Sequence, residues 1–248
     1  MNQHDVLAYA RVALPHLESL VSLNRLEMEN LSTRIVQDVT AGKSLFIFGS
    51  GHSALLPLEL YHRAGGPSFV IPLVLEALLP CAGPPLVRIL ERTEGCAKMI
   101  LSRGQPQPGE MIWIMSQSGI NAAGIDMALE AKKRGLYSVA FTSLTHSRAV
   151  ASRHSSGKKL FEVCDAVMDL GGVVGDAAVP VSAATGVAVG PLSSLGAIFL
   201  AHSILAPAMS QVEGRGVRCV YTSVNTPEGE LRNRKLEEVA KVRDPLLR

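Results

Sequence analysis

The protein has 248 residues, of which 47% are hydrophobic and 19% are charged. A chain of this length can form one large domain, and this composition excludes general disorder. Its 24 Lys and Arg residues nearly balance 22 Asp and Glu residues, for a formal net charge of +2, and aromatic residues make up 4%. Because nucleic acids select basic surfaces, and single strands also select aromatic side chains, we expect no nucleic-acid partner.

Helical periodicity dominates the first 40 residues. Apolar residues recur at helical spacing from Val6 to Val39, with charged residues between them. Pro15 predicts a break between a short helix and a longer one, and Gly42 predicts the end of the longer helix. We expect residues 1–42 to form an N-terminal helical arm that packs on the domain and at a dimer interface. Residues 43–248 then form the main domain.

From residue 44 onward, short apolar runs alternate with helical patterns. The runs are residues 44–49, 68–72, 111–115, 137–141 and 166–170. A continuous apolar run of this length is typical of a strand that is buried on both faces. The alternation predicts a doubly wound α/β domain, in which helices cover both faces of a parallel sheet.

The N-terminus, the cysteines and one long uncharged segment of the sequence indicate where the protein is located. The N-terminus lacks the basic and apolar regions of a signal peptide, and the four cysteines form no C-x-x-C motif. We therefore expect a cytoplasmic protein with reduced thiols and no metal site. Residues 177–212 carry no charge, but prolines and glycines interrupt them. This interruption favours a helix near residues 192–205 that is buried at a protein interface over a membrane span.

Polar loops follow the first and third predicted strands, at the sheet edge where open α/β folds bind ligands. The first loop is Gly49-Ser-Gly-His-Ser53, and the second is Ser116-Gln-Ser-Gly-Ile-Asn121. Each leads into a predicted helix, where hydroxyls and backbone N–H groups can hold a phosphate without a cationic side chain. Two such loops in one sheet predict a phosphate site.

A dinucleotide site is an alternative interpretation of the first loop. Residues 49–54 fit the pattern G-x-G-x-x-A, which also requires an acidic residue at the end of the second strand. Glu76 is the one candidate, and it lies several residues past the apolar run. An NAD-dependent oxidoreductase is therefore the weaker hypothesis, which nicotinamide cofactor binding would distinguish.

Two segments resemble the phosphate-binding loops of sugar isomerase (SIS) domains. These are FIFGSGHS and IMSQSGINAAGIDMALEAKKRG. The segments GSGHSALLPLELYHRAGG and GPLSSLGAIFLAHSIL are similar, more narrowly, to a bacterial stand-alone group in that superfamily, related to phosphoheptose isomerases. The resemblance covers about residues 5–240. It implies a three-layer α/β/α sandwich around a five-stranded parallel sheet, of the SIS or flavodoxin-like type.

The resemblance also implies a ligand, an assembly and a set of binding residues. The ligand is a sugar phosphate, no cofactor is needed, and the protein is a homodimer or homotetramer with shared sites. Phosphate binding falls to Ser50, Ser53, Ser116 and Ser118, with Gln117, Gly119 and Asn121 shaping the second loop. Gly51 and His52 in the first loop are further candidates. Ser193 and Ser194, which follow Gly190-Pro191, are predicted to cap a helix that meets the sugar.

The sequence lacks a glutamate at the position where the family carries its catalytic one. Phosphoheptose isomerases carry a Glu about ten residues beyond the first-loop Ser, and counting from Ser53 reaches Arg63 instead. The nearest acid is Glu59, which could alternatively form an ion pair with Arg63 one helical turn later. His62 and His202 are further candidates, although His202 also fits a core position. We therefore expect an aldose–ketose isomerase or related amino-sugar phosphate enzyme, with a non-catalytic phosphosugar sensor as the alternative.

Overall fold

The central element is a five-stranded parallel sheet with flanking helices. The computed structural model describes residues 5–182 and 184–247. The strands are β1 (Leu45–Gly49), β2 (Val70–Leu73), β3 (Met111–Met115), β4 (Tyr137–Thr142) and β5 (Ala166–Asp169), in the order β2-β1-β3-β4-β5. Every neighbouring pair is parallel. The predicted α/β class and parallel sheet are confirmed, and each strand begins and ends within two residues of its apolar run.

Helices cover both faces of the sheet. They are α1 (Ala8–Thr40), α2 (Leu55–Leu60), α3 (Pro84–Leu90), α4 (Cys96–Gly104), α5 (Ala122–Lys133), α6 (Leu144–Ala149), α7 (Leu160–Val163), α8 (Ser193–Gly214) and α9 (Pro227–Ala240). One core lies between the sheet and helices α1, α2 and α8. The other lies between the opposite face and helices α4, α5 and α7. The three-layer sandwich implied by the resemblance is therefore present.

The N-terminal helix α1 is continuous from Ala8 to Thr40 and contains Pro15. The predicted break at Pro15 is wrong, because this residue lies on the exposed side of the helix while the opposite side is anchored. Ala13, Leu20 and Leu31 are buried there, and α1 packs along α8. The packing contacts thus hold the helix together where proline removes one backbone hydrogen bond. The division into an arm at residues 1–42, of which 1–4 lie outside the described residues, and a domain at 43–248 stays a prediction.

Helix α8 occupies the uncharged segment of the sequence. By length and composition it could cross a membrane, but half of its most apolar 18-residue window is buried inside the fold. Leu200, Ala201 and Ile204 are fully buried in the core that α8 shares with α1. The helix is present and extends to Gly214, while its place at a protein interface stays a prediction.

An antiparallel hairpin precedes α8. Its strands are β6 (Ala177–Ser182) and β7 (Val187–Pro191). The hairpin exposes Val181, Val187 and Val189. It connects β5 to α8 and ends next to the edge of the sheet that carries the two loops, as described below.

Candidate functional site

A cavity of about 400 Å³ opens at the carboxyl ends of β1 and β3. It is lined by Ser50, Gly51, His52, Ser53, Pro80, Pro84, Val87, Arg88, Glu91, Ser116, Gln117, Ser118, Asn121, His146, Asp176 and Ser193. The cavity brings together side chains of both predicted loops. Gly119 and Ser194 are not among these lining residues.

The first loop makes a tight turn between β1 and α2. A methyl group on Gly49 would overlap the carbonyl oxygen of Ser53, so a larger residue does not fit at the end of β1. Gly51 begins a 3-10 turn with φ +58°, a left-handed conformation that favours glycine. The Ser53 N–H donates to the Ser50 carbonyl oxygen at 3.1 Å and closes the turn. Residues 50–53 thereby form one wall of the cavity.

The second loop is supported from two sides. The Gly119 N–H donates to the carbonyl oxygen of Ser116 at 3.1 Å. Gly119 has φ +62°, and a Cβ atom there would lie 2.8 Å from the Thr142 hydroxyl oxygen, so this position requires glycine. Asn121 precedes α5, and its Oδ1 accepts a hydrogen bond from Arg153 Nη1 at 2.9 Å. Gly119 therefore shapes the loop from behind, while Asn121 joins it to the segment that carries Arg153.

Several polar side chains of the two loops are free to bind a ligand. Among the described residues, the hydroxyls of Ser50, Ser53 and Ser118 have no hydrogen-bond partner. Gln117 Oε1 is buried and also has no partner within the described part of the chain. Buried polar atoms are normally paired, so an unpaired one that lines a cavity is available to accept a hydrogen bond from a ligand.

Asp176 fixes the start of α8 at the cavity. Its carboxylate accepts hydrogen bonds from the Leu192 N–H at 3.1 Å, the Ser193 N–H at 2.8 Å and the Ser193 hydroxyl at 2.6 Å. The cap of α8 is therefore Asp176, whereas neither Ser193 nor Ser194 caps the helix with its own side chain. A carboxylate is favoured at this end because a helix N-terminus carries partial positive charge. As a result, Ser193 lines the cavity.

Glu91 is a partly buried carboxyl group between the two loops. Its Oε2 lies 3.7 Å from the position that a Cβ atom of Gly51 would occupy. Its backbone carbonyl accepts the Ala123 N–H at 3.0 Å, at the start of α5. Burial raises the pKa of Glu91, although neighbouring arginines and a hydrogen bond with Asn121 oppose part of this effect. The carboxyl group is therefore a stronger base than an exposed glutamate.

Four chemically active residues of the cavity were not selected from the sequence. They are Arg88, Glu91, His146 and Asp176. His146 Nδ1 is buried and has no partner among the described residues. A positional signal was available for two of them, since His146 follows β4 and Asp176 follows β5 at the ligand-binding edge of the sheet.

The three predicted catalytic residues do not line this cavity within the described protomer. Glu59 contacts Arg63, as its ion-pair interpretation predicts, and its Oε1 lies 3.3 Å from His202 Nε2. His62 has φ +46°, and its Nε2 lies 2.8 Å from Glu237 Oε1. The structure thus pairs Glu59 with His202 and joins His62 to α9. A catalytic role for any of the three remains a prediction.

Comparison with known proteins identifies the family. The family model described as SIS domain matches residues 8–143, a range that contains both loops. A UPF0309 protein of Shouchella clausii (strain KSM-K16) is 37% identical over 206 residues, which cover 82% of this chain and 83% of the relative. The chain is a SIS-domain protein of the UPF0309 family. The resemblance stated from the sequence is confirmed.

Solved structures share the fold of this UPF0309 protein. Phosphoheptose isomerase GmhA from Neisseria gonorrhoeae aligns with a TM-score of 0.55 and 15% identity, over 86% of this chain and 100% of that one. The c3406 protein of E. coli CFT073, solved in complex with arabinose 5-phosphate, aligns with a TM-score of 0.50 and 19% identity, over 87% and 92%. At these identities the likeness shows the fold alone.

Proposed function

We propose that this UPF0309 protein binds a sugar phosphate in the cavity and isomerises it between aldose and ketose forms. The observation that carries the proposal is a set of three hydroxyls that line one cavity from two loops and have no partner in the described part of the chain, those of Ser50, Ser53 and Ser118. A phosphate accepts several hydrogen bonds at once and is favoured near a helix N-terminus such as that of α5. This arrangement requires no lysine.

The size and charge of the cavity suit a small phosphorylated ligand. Its volume of about 400 Å³ is at the lower end of the range for small-molecule sites, roughly 300–1,000 Å³. Arg88 is exposed and lines the cavity, where it adds positive charge beside the loops. The shared fold with a phosphoheptose isomerase and with a protein solved with arabinose 5-phosphate is consistent with a sugar phosphate.

The proposal includes a homodimer or homotetramer. On α1, Leu23 and Leu26 lie three residues apart on one side of the helix and are 57% and 72% exposed, and exposed apolar patches mark interaction surfaces. A second copy on this surface would bury them. Glu59 and His202 belong to the same sandwich layer as α1 and do not line their own protomer's cavity, so they contribute to a site only in such an assembly.

We place the protein in the cytoplasm, where its four free cysteines would stay reduced.

A second candidate function is a sensor that binds the sugar phosphate without turnover. The observation that favours the sensor is Arg63, which stands where phosphoheptose isomerases carry glutamate and which contacts Glu59. Sensor and isomerase share the binding step and differ in turnover.

The binding step is tested by thermal unfolding with fructose 6-phosphate, arabinose 5-phosphate and glucosamine 6-phosphate, each compared with its parent sugar. A ligand at 100 times its Kd stabilises the folded state by about 2.7 kcal/mol, which raises Tm by about 5–10 °C for a protein of this size. Ser50→Ala with Ser118→Ala should remove the shift, while Ser19→Ala, on the outer side of α1, should preserve it. Equal shifts with parent sugars, or a shift with NAD alone, would contradict the proposal.

A further inference from the structure

We propose that Glu91 is the acid–base residue of the cavity, which takes the proton from the sugar carbon next to the carbonyl group and returns it to the neighbouring carbon. This inference rests on the proposed function, because it assigns the catalytic residue of the same site. It differs from the sequence-based choice of Glu59.

Glu91 is the carboxylate of the cavity whose oxygens are available. Among the described residues that line the cavity, the carboxylates are Glu91 and Asp176. Both oxygens of Asp176 already accept hydrogen bonds at the start of α8. Glu91 forms no ion pair within 4 Å among the described residues, and its hydrogen-bonding neighbour is Asn121 of the second loop. A base that abstracts a proton needs an oxygen that no strong donor occupies, and Glu91 meets this condition.

The position of Glu91 relates its carboxyl group to a bound phosphate. The first loop approaches it at Gly51, where a Cβ atom would lie in van der Waals contact with Oε2. The second loop approaches it at Asn121, and its own carbonyl group is tied to the start of α5. A phosphate held by both loops therefore places the attached sugar at a fixed distance from this carboxyl group. Such fixed placement is a large part of the rate enhancement in proton transfer.

The environment of Glu91 suits proton abstraction from carbon. Burial raises the pKa of the carboxyl group, and a general base is most effective when its pKa approaches the working pH. The same partial burial excludes some of the water that would otherwise compete for the base.

The reaction balances without an oxidant or a cofactor. Glu91 accepts the proton from C2 of an aldose, and the C–H electron pair forms the C1=C2 bond while the C1 carbonyl oxygen gains a proton. The C2 hydroxyl then loses its proton as the C2 carbonyl forms, and Glu91 returns its proton to C1. His146, which lines the cavity and has a buried, unpaired Nδ1 among the described residues, is the group placed to move the oxygen protons.

The test compares Glu91→Gln with Glu59→Gln and with Glu94→Gln. Glu94 lies three residues away, is exposed and accepts hydrogen bonds from Ser155, so it is a matched control outside the cavity. Each protein is incubated in D₂O with fructose 6-phosphate, arabinose 5-phosphate or glucosamine 6-phosphate, and NMR measures deuterium incorporation at carbon. We expect Glu91→Gln to slow incorporation by roughly 10²–10⁴-fold, while Glu94→Gln matches wild type.

Binding and pH dependence separate the possible outcomes. Inorganic phosphate should stabilise Glu91→Gln at least as much as wild type, because the variant has no carboxylate to repel the anion. The acid limb of kcat/KM in wild type should lie above the ordinary pKa of glutamate. Incorporation at the wild-type rate in Glu91→Gln, or loss in Glu59→Gln alone, overturns the inference and leaves the proposed function intact. If wild type binds the sugar phosphates but incorporates no deuterium from any, the inference falls together with isomerisation. If it does not bind them, the proposed function itself fails.

Discussion

Replacing Asp176 by alanine should detach the first turn of α8 from the cavity. The substitution removes three hydrogen bonds, two from the backbone N–H groups of Leu192 and Ser193 and one from the Ser193 hydroxyl. Because the carboxylate is partly exposed, each is worth about 1 kcal/mol, below the usual value for a charged acceptor. Asp176 has φ +72°, a conformation that aspartate tolerates better than alanine, so the substitution adds up to about 1 kcal/mol of backbone strain. The expected loss is about 3–4 kcal/mol, or a Tm lower by about 6–16 °C.

Asp176→Asn is the matched control for this substitution. Asparagine keeps an oxygen for the two N–H groups and tolerates the left-handed conformation. Its NH2 group cannot accept from the Ser193 hydroxyl but can donate to it instead, so the main loss is the charge at the helix N-terminus, at about 1 kcal/mol. Urea unfolding measures both variants, and phosphate binding reports the position of Ser193. If alanine costs less than about 1 kcal/mol, or if both variants lose equally, the carboxylate does not anchor α8 and this reasoning is refuted.

Three further predictions address binding, pH and assembly. Ser116→Ala with Ser118→Ala should weaken sugar-phosphate binding by more than about tenfold with the circular dichroism spectrum unchanged, and unaltered affinity by calorimetry would place the phosphate elsewhere. Because the folded-state pKa of Glu91 is raised, its contribution to stability is full below the unfolded pKa and is lost as pH rises through the folded pKa. Glu91→Gln should therefore unfold at a higher temperature than wild type at pH 8 and at the same temperature below about pH 4, and equal values at both pH values would contradict the raised pKa. Wild type should be a dimer or tetramer by light scattering and Leu26→Glu a monomer, whereas a monomeric wild type would exclude a shared site.

The strands could be predicted because parallel strands buried on both faces have an unambiguous pattern. The run at 111–115 is apolar at every position, and all five residues of β3 are buried. The hairpin of β6 and β7 was not predicted, because it lies inside the uncharged stretch and exposes alternate valines. Pro15 misled the prediction for a different reason, since packing of α1 along α8 outweighs the local cost of a proline. In both the hairpin and α1, tertiary contacts that the local sequence pattern does not show determine the structure.

The candidate site likewise contains residues that could be predicted from the sequence and residues whose positions depend on tertiary packing. Residues of the two loops could be predicted because they follow strands directly, and the topology of an open sheet fixes where they lie. Counting along a helix from Ser53 reached Arg63, and Glu59 was chosen as the nearest acid, but residues 51–54 form a 3-10 turn, and α2 then ends at Leu60. A 3-10 turn advances differently from an α-helix, so the count does not fix the direction of the side chain. Glu59 contacts His202, whereas Glu91 reaches the cavity from the end of α3, whose position depends on packing.

The phosphate-binding mode and the proposed base are linked by electrostatics. A lysine placed to hold the phosphate would lie near Glu91, and a nearby cation favours the ionised carboxylate and lowers its pKa. Arg92, Arg153 and Arg88 already lower the pKa of Glu91, but burial outweighs them and the pKa stays raised. Neutral hydroxyls bind the phosphate without adding a further cation beside the carboxyl group. A bound phosphate dianion would raise the pKa further, because a neighbouring negative charge disfavours ionisation of the carboxyl group. Serine-rich loops therefore make the carboxyl group a stronger base when the substrate is bound, which a lysine-based phosphate site at the same place would not do.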